Sequence, residues 1–530
     1  MAVSVTVRPT NPALSQALRL AAVFALIKLA LHVATNLLEP RLGYGYFRDE
    51  FYYLMCGRHL AWGYVDHGPV VAVQARLSEM LFGHSLAGLR MFSALAGAGR
   101  VFLTGLLAWA LGGRRPALGL AMLCVLCAPQ YLGTDSFLSM NSFESLFWMT
   151  CLLVLVLLQD DRIEPGRAWV IFGVSAGMGL LNKPSMTFFL VALGVALLCT
   201  PQRKLLFTRH AALGIALLVL IASPNLLWQV NHHWPTLEFL SNGRKEGKNV
   251  ALGPIAFFLT QVKNMNPLTA FVWVPGLVFL LRRAPWQWLG LTWVFTYGIM
   301  FTLHAKDYYF SPIYPLVFAA GGLAWETRFA DRKSVYWDHA LAFPVASAMI
   351  VLLAIFSLPM AIPVLPVDAW VRYTTATHLR DNVTNTEKDE TGVFPQFFAD
   401  RFGWEELSTK VKDVYNSLSP ADRSKVVVLA SNYGEAGSLI FLNKPGELPP
   451  VVSGHNNHYL WGPQGATGEV VIAINGAKLP EMLKYYESCT ATGHLDQPYA
   501  MPYESHRTIY LCRNRKKNMT SDWADFKHYI

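Results

Sequence analysis

The stretch "YFRDEFYY" places three charged side chains, Arg48, Asp49 and Glu50, a few residues after an apolar run long enough to cross a bilayer. A carboxylate can take the proton of an attacking hydroxyl, while a neighbouring carboxylate holds the acceptor or restrains the pKa of the first. An acid pair also suits the start of a helix, where negative charge interacts favourably with the helix dipole. For this pair alone both interpretations stay open, although ionisable groups at the membrane face of a multi-span protein favour a function.

A third acid and three basic side chains lie at the ends of later apolar runs. Asp135, in "YLGTDSFLSMN", either caps a helix or supplies a second acidic group. Lys183, in "LLNKPSM", either reaches toward the interface or binds a lipid phosphate. His304 and Lys306, in "HAKDYY", either anchor the chain at the interface or serve the same anion. Acids that activate a hydroxyl, combined with cations that receive an anionic leaving group, indicate group transfer from a lipid phosphate.

The composition indicates where such groups must work. The chain has 530 residues, of which 53% are hydrophobic and 15% are charged, so an ordinary soluble enzyme is excluded. The formal net charge of +9 comes from short basic clusters between apolar runs rather than from one stripe. That distribution is typical of cytoplasmic loops and argues against nucleic acid as a partner. We therefore expect an integral membrane protein.

Eleven apolar segments predict a polytopic α-helical protein with about eleven transmembrane helices. The segments lie near residues 20–38, 85–111, 117–132, 141–158, 168–181, 186–199, 211–229, 266–281, 286–303, 311–325 and 339–362. One set of alternate loops carries the clustered basic residues, which places that set and the N-terminus in the cytoplasm. These residues are Arg8, Arg19, Arg114, Arg115, Arg162, Arg167, Arg203, Lys204, Arg209, Arg282, Arg283, Arg328, Arg332 and Lys333. All candidate residues and the C-terminal tail are then expected on the outer face.

The outer segments have predicted structure of their own. In the first outer loop, "FYYLMCGRHLAW" and "PVVAVQARLSEML" each have one apolar face, which predicts two helices lying in the membrane surface. From about residue 364 the runs "VVVLASNYGEAGSLIFL", "VVIAINGAKL" and "HRTIYLCRN" are rich in strand-forming residues, whereas "PEMLKYYESC" is helical in character. The sequence therefore predicts a transmembrane domain over 1–363 and an extracytoplasmic α/β domain over 364–530.

Four segments together resemble a known family. "YFRDEFYYLMCGRHLAWGYVDHGPVVA", "DSFLSMNSFE", "LNKPS" and "HAKDYYFSPIYPLVFAAG" are similar to the membrane-embedded C-type (GT-C) glycosyltransferases of the protein-mannosyltransferase and aminoarabinose-transferase kind, in the bacterial family 39 or 83 branch. The similarity runs over roughly residues 15–365. It implies the GT-C fold, a polyprenyl-phosphate sugar donor, an active site on the outer face of the bacterial inner membrane, and inversion at the anomeric carbon.

The resemblance also implies roles for individual residues. The positions that match the catalytic acids are Asp49, Glu50 and Asp135. The positions that match the basic groups on the donor phosphate are Lys183, His304 and Lys306. The side chains expected to contact substrate are Arg48, Arg58, Tyr308 and Tyr309. The segment "HAKDYY" departs from the arginine-centred pattern usual in these transferases, which leaves the donor sugar and the envelope acceptor (lipid A, another glycan or a protein) open.

Two other classes of protein remain as alternatives. A transporter or flippase for polyprenyl-linked sugars also has many spans and intramembrane charges, although the sequence has no inverted repeat and its charges gather on one face. A non-catalytic assembly or sensor protein that uses the tail for binding is a third interpretation. The predicted mechanism requires no cofactor, and a divalent metal is left open, because Asp49, Glu50 and Asp135 would form an oxygen-ligand site if they converged.

Cys489 and Cys512 are the two cysteines of the tail. An outer compartment permits disulfides, so a bridge between them is expected, with two unpaired buried thiols as the alternative. Because a cytoplasmic tail stays reduced, the state of these cysteines also tests the predicted topology.

Overall fold

The structure is a computed structural model that describes residues 13–247, 252–330, 339–379, 392–475 and 478–530. Its N-terminal part is a bundle of helices, and its C-terminal part is built around one five-stranded sheet. Three of the basic residues used for the predicted orientation, Arg8, Arg332 and Lys333, lie outside the described residues.

The helices of the N-terminal part follow one another with short connections. They are α1 (Leu14–Leu38), α2 (Arg48–Arg58), α3 (Pro69–Phe82), α4 (Leu86–Leu89), α5 (Met91–Ala110), α6 (Arg115–Leu126), α7 (Pro129–Thr134), α8 (Met140–Gln159), α9 (Pro165–Asn182), α10 (Met186–Leu198), α11 (Arg209–Asn231), α12 (Pro235–Lys245), α13 (Pro254–Asn264), α14 (Ala270–Arg282), α15 (Gln287–Thr302), α16 (Tyr314–Ala330) and α17 (His339–Ala361). Short 3₁₀ turns lie at Glu39–Leu42, Pro201–Leu205, Pro267–Thr269, Ala284–Trp286 and Asp307–Ile313.

Each of the eleven predicted segments contains a helix, but fewer helices are long enough to be spans on their own. Across the described ranges, 5 helices are long and apolar enough to cross a membrane, or up to 6 if a bent pair counts as one span. The five are Leu14–Leu42, Met91–Ala110, Met140–Gln159, Arg209–Asn231 and Leu341–Ala361. The protein is thus a helical, multi-pass membrane protein, and the number of eleven spans stays a prediction.

Prolines explain several of the short helices. Pro129 begins α7 directly after α6 has ended, because proline fits the first helical turn but not a helix interior. The pair Pro254–Asn264 and Pro267–Arg282 is bent by 101° at a break that Pro267 follows. Both α12 and α13 fall between the predicted spans 211–229 and 266–281, where the sequence analysis had placed only an outer loop.

The first outer loop forms the two predicted helices, but they differ in exposure. On α3, Val73, Leu77, Met80 and Leu81 are between 42% and 67% exposed, which suits contact with a membrane surface. In contrast, residues 51–57 of α2 are all buried. The expectation that α2 lies in the membrane surface is therefore wrong, because α2 packs between α3 and the C-terminal domain.

The C-terminal part is an α/β domain, as predicted. Its elements are α18 (Val367–Ala376), α19 (Gln396–Ala399), α20 (Trp404–Ser417), α21 (Pro420–Arg423), β1 (Val426–Leu429), α22 (Tyr433–Leu442), β2 (Val451–Val452), α23 (Asn457–Leu460), β3 (Val470–Asn475), α24 (Leu479–Met482), β4 (Tyr486–Asp496), α25 (Pro502–Ser505) and β5 (His506–Arg515). The strand order is β2-β1-β3-β5-β4, with β2, β1 and β3 parallel and β5 antiparallel to its two neighbours. Cys489 on β4 and Cys512 on β5 form a disulfide, which confirms the predicted bridge.

One predicted strand region is mostly helical. The run "VVVLASNYGEAGSLIFL" yields a strand only over Val426–Leu429 and then α22. The side chain of Asn432 accepts a hydrogen bond from the backbone N–H of Glu435, so it caps the helix at its start. This cap outweighs the strand propensity of the apolar residues that follow.

The C-terminal domain and the first outer loop share one apolar core. Phe51 and Met55 of α2 and Val71 of α3 belong to the same buried cluster as Trp404 of α20 and Leu439 of α22. Burial of this surface fixes α2 against the domain, because apolar area removed from water contributes about 25 cal/mol per Å². The start of α2, which carries Asp49, is therefore positioned by two distant parts of the chain.

Candidate active site

Asp49 is a partly exposed carboxylate at the start of α2. Its side chain is 28% exposed, and its Oδ1 accepts a hydrogen bond of 2.8 Å from the hydroxyl of Tyr433 on α22. The Nε of Arg48 lies 3.6 Å from the same oxygen. A carboxylate that is oriented by a phenol and remains accessible can accept a proton from a bound hydroxyl.

Arg48 connects Asp49 to the C-terminal domain. Its guanidinium lies 3.5 Å from Asp400 and 3.6 Å from Glu504, and it also lies over the ring of Tyr433, 5.7 Å from the centroid. The side chain is 12% exposed. Arg48 was predicted to contact substrate. In the structure its guanidinium lies near two carboxylates of the C-terminal domain, and contact with substrate stays a prediction.

Glu50 lies in a buried ion-pair network beside Asp49. Its carboxylate accepts hydrogen bonds from Nε and Nη2 of Arg90, at 2.7 and 2.9 Å, and from the backbone N–H groups of Phe47 and Leu138, both at 2.8 Å. Both side chains of the Glu50–Arg90 pair are fully buried. Glu50 thus caps its own helix and ties it to the bundle, and four donors already occupy the carboxylate.

The same network includes the C-terminal domain. Arg90 also contacts Glu39, and Arg401 of the C-terminal domain donates to Glu39 at 2.6 Å and to the hydroxyl of Ser136 at 3.1 Å. Two cations and two carboxylates are therefore buried together, with Glu50 at one end. The network joins the segment after α1, the starts of α2 and α5, and the segment before α20.

Asp135 lies in a second buried cluster inside the helix bundle. Arg100 donates to both of its oxygens, at 3.0 and 3.1 Å, and the Nζ of Lys28 lies 3.1 Å from Oδ2. All three side chains are at most 1% exposed. In this arrangement Asp135 compensates two buried cations, and it does not lie beside Asp49 or Glu50 in a common carboxylate group.

Lys183 lies against the predicted substrate tyrosines. Its Nζ donates to Asn141 at 2.8 Å and to Glu144 at 2.9 Å. The same nitrogen lies 3.8 Å from the ring centroid of Tyr309 and 5.6 Å from that of Tyr308. One cluster thus contains three of the predicted site residues: Lys183, at the end of α9, and Tyr308 and Tyr309, in the segment after α15.

Tyr53, on α2, has electrostatic surroundings that include residues of both groups. Burial raises the pKa of Tyr53 well above its ordinary value, and Asp49, Asp66 and Tyr309 act in the same direction.

Asp66 is a site residue that the sequence analysis missed. It lies in "DHGP", between the two predicted helices of the first outer loop. In the structure Asp66 is partly exposed, and its Oδ1 accepts a hydrogen bond of 2.7 Å from Tyr52. An acid two residues before the Gly68–Pro69 turn was the signal available, because loops positioned by a rigid scaffold often carry function.

The remaining predicted residues lie away from this cluster or have other partners. Arg58 forms an ion pair with Glu79 on α3 at 2.6 Å and lies over the ring of Phe441 on α22, so it joins structural elements. His304 is exposed and has a left-handed backbone, with φ of 51°. Lys306 is half-buried in the same connection.

The residues left open for a metal do not assemble into a metal site. In the described parts of the chain, no group of three or more His, Cys, Asp or Glu side chains is arranged to hold a metal ion. Asp49, Glu50 and Asp135 have the separate surroundings given above, so the carboxylates do not fit the oxygen-ligand site that the sequence left open.

A comparison with protein families gives a match over part of the chain. A family model of dolichyl-phosphate-mannose-protein mannosyltransferases matches residues 66–228. The matched range includes Asp66, Asp135 and Lys183 and leaves Asp49 outside. A comparison with curated protein sequences finds no match.

Solved structures share the fold. Crystal structures of ArnT from Cupriavidus metallidurans, one bound to undecaprenyl phosphate and one in the apo state, have TM-scores of 0.56 and 0.58 at 14% sequence identity, over 94% of this chain and 98% of that one. The arabinofuranosyltransferase AftD from Mycobacteria has a TM-score of 0.51 at 13% identity, over 96% of this chain and 40% of AftD. The chain has the fold of these GT-C glycosyltransferases, and about a third of it matches the mannosyltransferase family model. The resemblance in the sequence is thereby confirmed, and the roles of single residues remain to be proposed.

Proposed function

We propose that this glycosyltransferase moves a sugar, with inversion at the anomeric carbon, from a polyprenyl-phosphate donor to an acceptor of the cell envelope. Two comparisons support a lipid-linked donor: ArnT is bound to undecaprenyl phosphate in one structure, and the matching family model describes enzymes that use dolichyl-phosphate mannose. The acceptor is lipid A, another glycan or a protein.

Asp49 acts as the general base in this proposal. Of the three predicted acids it is the one that is partly exposed, whereas Glu50 and Asp135 are buried in ion pairs. The acceptor hydroxyl gives its proton to Asp49, and its oxygen bonds to the anomeric carbon from the face opposite the phosphate. The electron pair of the broken carbon–oxygen bond stays on the departing polyprenyl phosphate.

Lys183 receives that departing phosphate. Asn141 and Glu144 hold its Nζ in place, which reduces the reorganisation needed when negative charge develops on the leaving group. Tyr308 and Tyr309 line the same position and contact donor or acceptor. His304 and Lys306 stay predicted phosphate ligands, and this scheme assigns them no step.

The observation that carries the proposal is the contrast in exposure among the three acids. Asp49 is 28% exposed, whereas Glu50 and Asp135 are fully buried in ion pairs. Lys183 lies with its Nζ 3.8 Å from the ring centroid of Tyr309. An accessible base and an oriented cation are the two groups that transfer from a lipid phosphate needs.

Glu50 and Asp135 position the site in this scheme, and Arg48 holds Asp49 against the C-terminal domain. We place the boundary between the transmembrane domain, 1–363, and the extracytoplasmic domain, 364–530, after the end of α17. The disulfide between Cys489 and Cys512 favours an oxidising compartment for the second domain, and hence a bacterial inner-membrane protein with a cytoplasmic N-terminus.

Acceptor-dependent release of polyprenyl phosphate tests the proposal. Purified protein in nanodiscs is mixed with polyprenyl-phosphate sugars and an envelope extract, and free polyprenyl phosphate is measured. We expect Asp49→Asn to lower the rate at least about a hundredfold, because a positioned base contributes about 10² to 10⁴. Asp413→Asn, on the exposed face of α20, is the control and should behave as wild type.

A transporter or flippase of polyprenyl-linked sugars is the alternative. This alternative predicts that a labelled polyprenyl-linked sugar crosses a vesicle bilayer without release of polyprenyl phosphate. It also predicts that Asp49→Asn moves the lipid at the wild-type rate. Wild-type release by Asp49→Asn would refute Asp49 as the base.

A further inference from the structure

A cleft in the C-terminal domain lies beside the candidate active site. It has a volume of about 200 Å³ and opens at the start of α22. Its walls include the hydroxyl of Ser431, the amide of Asn432, and the charged side chains Glu435, Glu504 and Arg507. Tyr503 and His506 complete the lining. The mechanism proposed above uses none of these residues.

The charged side chains of this cleft are held in place by one another and by Ser431. The Nε of Arg507 lies 3.1 Å from Glu435 and its Nη2 lies 2.9 Å from Glu504. Glu435 also accepts hydrogen bonds from the backbone N–H and the hydroxyl of Ser431 at 2.7 and 2.8 Å. The three charged residues are at most 7% exposed. They form a rigid wall rather than a flexible surface patch.

The charges of the lining indicate the class of ligand. The lining has two carboxylates, Glu435 and Glu504, and one guanidinium, Arg507, which contacts both, so the lining has no excess of positive charge to attract an anion. Carboxylate oxygens, an amide and a phenol accept and donate hydrogen bonds to hydroxyl groups. The volume is below the 300–1,000 Å³ typical for drug-sized ligands, which suits a single small polar unit.

Two residues connect the cleft to Asp49. Arg48 lies 3.6 Å from Glu504 in the cleft wall and 3.6 Å from Asp49. Asn432 of the cleft directly precedes Tyr433, whose hydroxyl donates to Asp49. The cleft is therefore separated from the base by the width of one side chain, so a group bound there is next to the reacting unit and is not the reacting unit itself.

We propose that this cleft binds a neutral sugar ring of the acceptor, adjacent to the unit whose hydroxyl Asp49 deprotonates. The acceptor is then a glycan of at least two units. This inference rests on the proposed function for the role of Asp49, and it adds the class of acceptor and a binding subsite in the C-terminal domain.

Glycan binding without donor tests the inference. Full-length protein in nanodiscs is applied to an array of neutral mono-, di- and oligosaccharides, with a peptide panel alongside. Wild type is expected to bind glycans of two or more rings in the millimolar range or tighter. His506→Trp fills the mouth of the cleft, and Asn432→Ser removes the amide donor while keeping a helix-capping side chain. Each should weaken binding about tenfold or more, the effect of losing one or two hydrogen bonds.

Matched variants separate binding from folding. His494→Trp places the same bulk on an exposed position of β4 outside the cleft lining and should bind as wild type. An unchanged thermal midpoint for His506→Trp shows that its effect is local.

Four results would overturn the inference: no glycan bound, equal binding of single sugars, binding unaffected by His506→Trp, or binding of peptides only. If glycans bind as expected but the release assay shows no transfer, the proposed function fails while the subsite stands. If transfer occurs but the cleft variants leave both binding and transfer unchanged, the subsite fails alone.

Discussion

Replacement of Arg401 by methionine should destabilise the junction between the two parts of the protein relative to wild type. The side chain of Arg401 is fully buried, and its Nη1 lies 2.6 Å from Glu39, which also contacts Arg90. Arg90 in turn holds Glu50. Arg401→Met keeps the unbranched apolar part of the side chain but leaves two buried carboxylates, Glu39 and Glu50, with one cation, Arg90. Breaking a buried ion pair in this way costs about 3 to 5 kcal/mol, because one charge remains uncompensated.

The charge argument predicts a rescue. In the double variant Glu39→Gln with Arg401→Met, one carboxylate and one cation remain, so the buried network is neutral again. Most of the lost free energy of unfolding should return, and the double-mutant cycle should give a coupling of several kcal/mol. A purely steric role for Arg401 predicts additive effects instead.

These changes in the free energy of unfolding are measured by denaturing the protein in detergent and monitoring the protease resistance of the C-terminal domain. Arg513→Met is the matched control, because its ion pair with Asp422 at 3.0 Å is 41% exposed on the arginine side and is worth about 0 to 1 kcal/mol. Equal losses for Arg401→Met and Arg513→Met, or no rescue by Glu39→Gln, would refute the reasoning.

Further predictions concern chemistry, pH and redox state. Lys183→Met should slow transfer about a hundredfold, since one preorganised donor contributes roughly 3 kcal/mol, and unchanged release of polyprenyl phosphate would exclude it as the phosphate ligand. Burial lowers the pKa of His458 to about 3, so between pH 6.5 and 3 only the unfolded chain binds this proton. The free energy of unfolding should therefore fall by up to about 1.4 kcal/mol per pH unit as the pH drops toward 3. In urea titrations, His458→Asn should flatten that slope. Maleimide should label Cys489 and Cys512 of denatured protein only after reduction. Transfer should persist in EDTA, and restoration by magnesium or manganese of a lost activity would contradict the metal-free scheme.

The helical character of the bundle and the side chains with catalytic potential were readable from the sequence. Apolar runs in lipid must be helical, because every backbone polar group needs a partner within its own segment. Asp49 and Lys183 were recognisable because charged groups are costly beside a membrane and are therefore informative. The pairing of Cys489 with Cys512 followed from their isolation in one domain. Each of these conclusions depends on local composition or on neighbouring residues.

Only the tertiary structure separated the accessible acid from the buried ones. Glu50 pairs with Arg90, 40 residues away in the sequence, and Asp135 pairs with Arg100, 35 residues away. No local sequence pattern predicts either pair. Asp49 receives its hydrogen bond from Tyr433, 384 residues away, because α2 is buried against the C-terminal domain. A carboxylate's role depends on its exposure and on which charges lie within a few ångströms, and those distances exist only once remote segments have packed together.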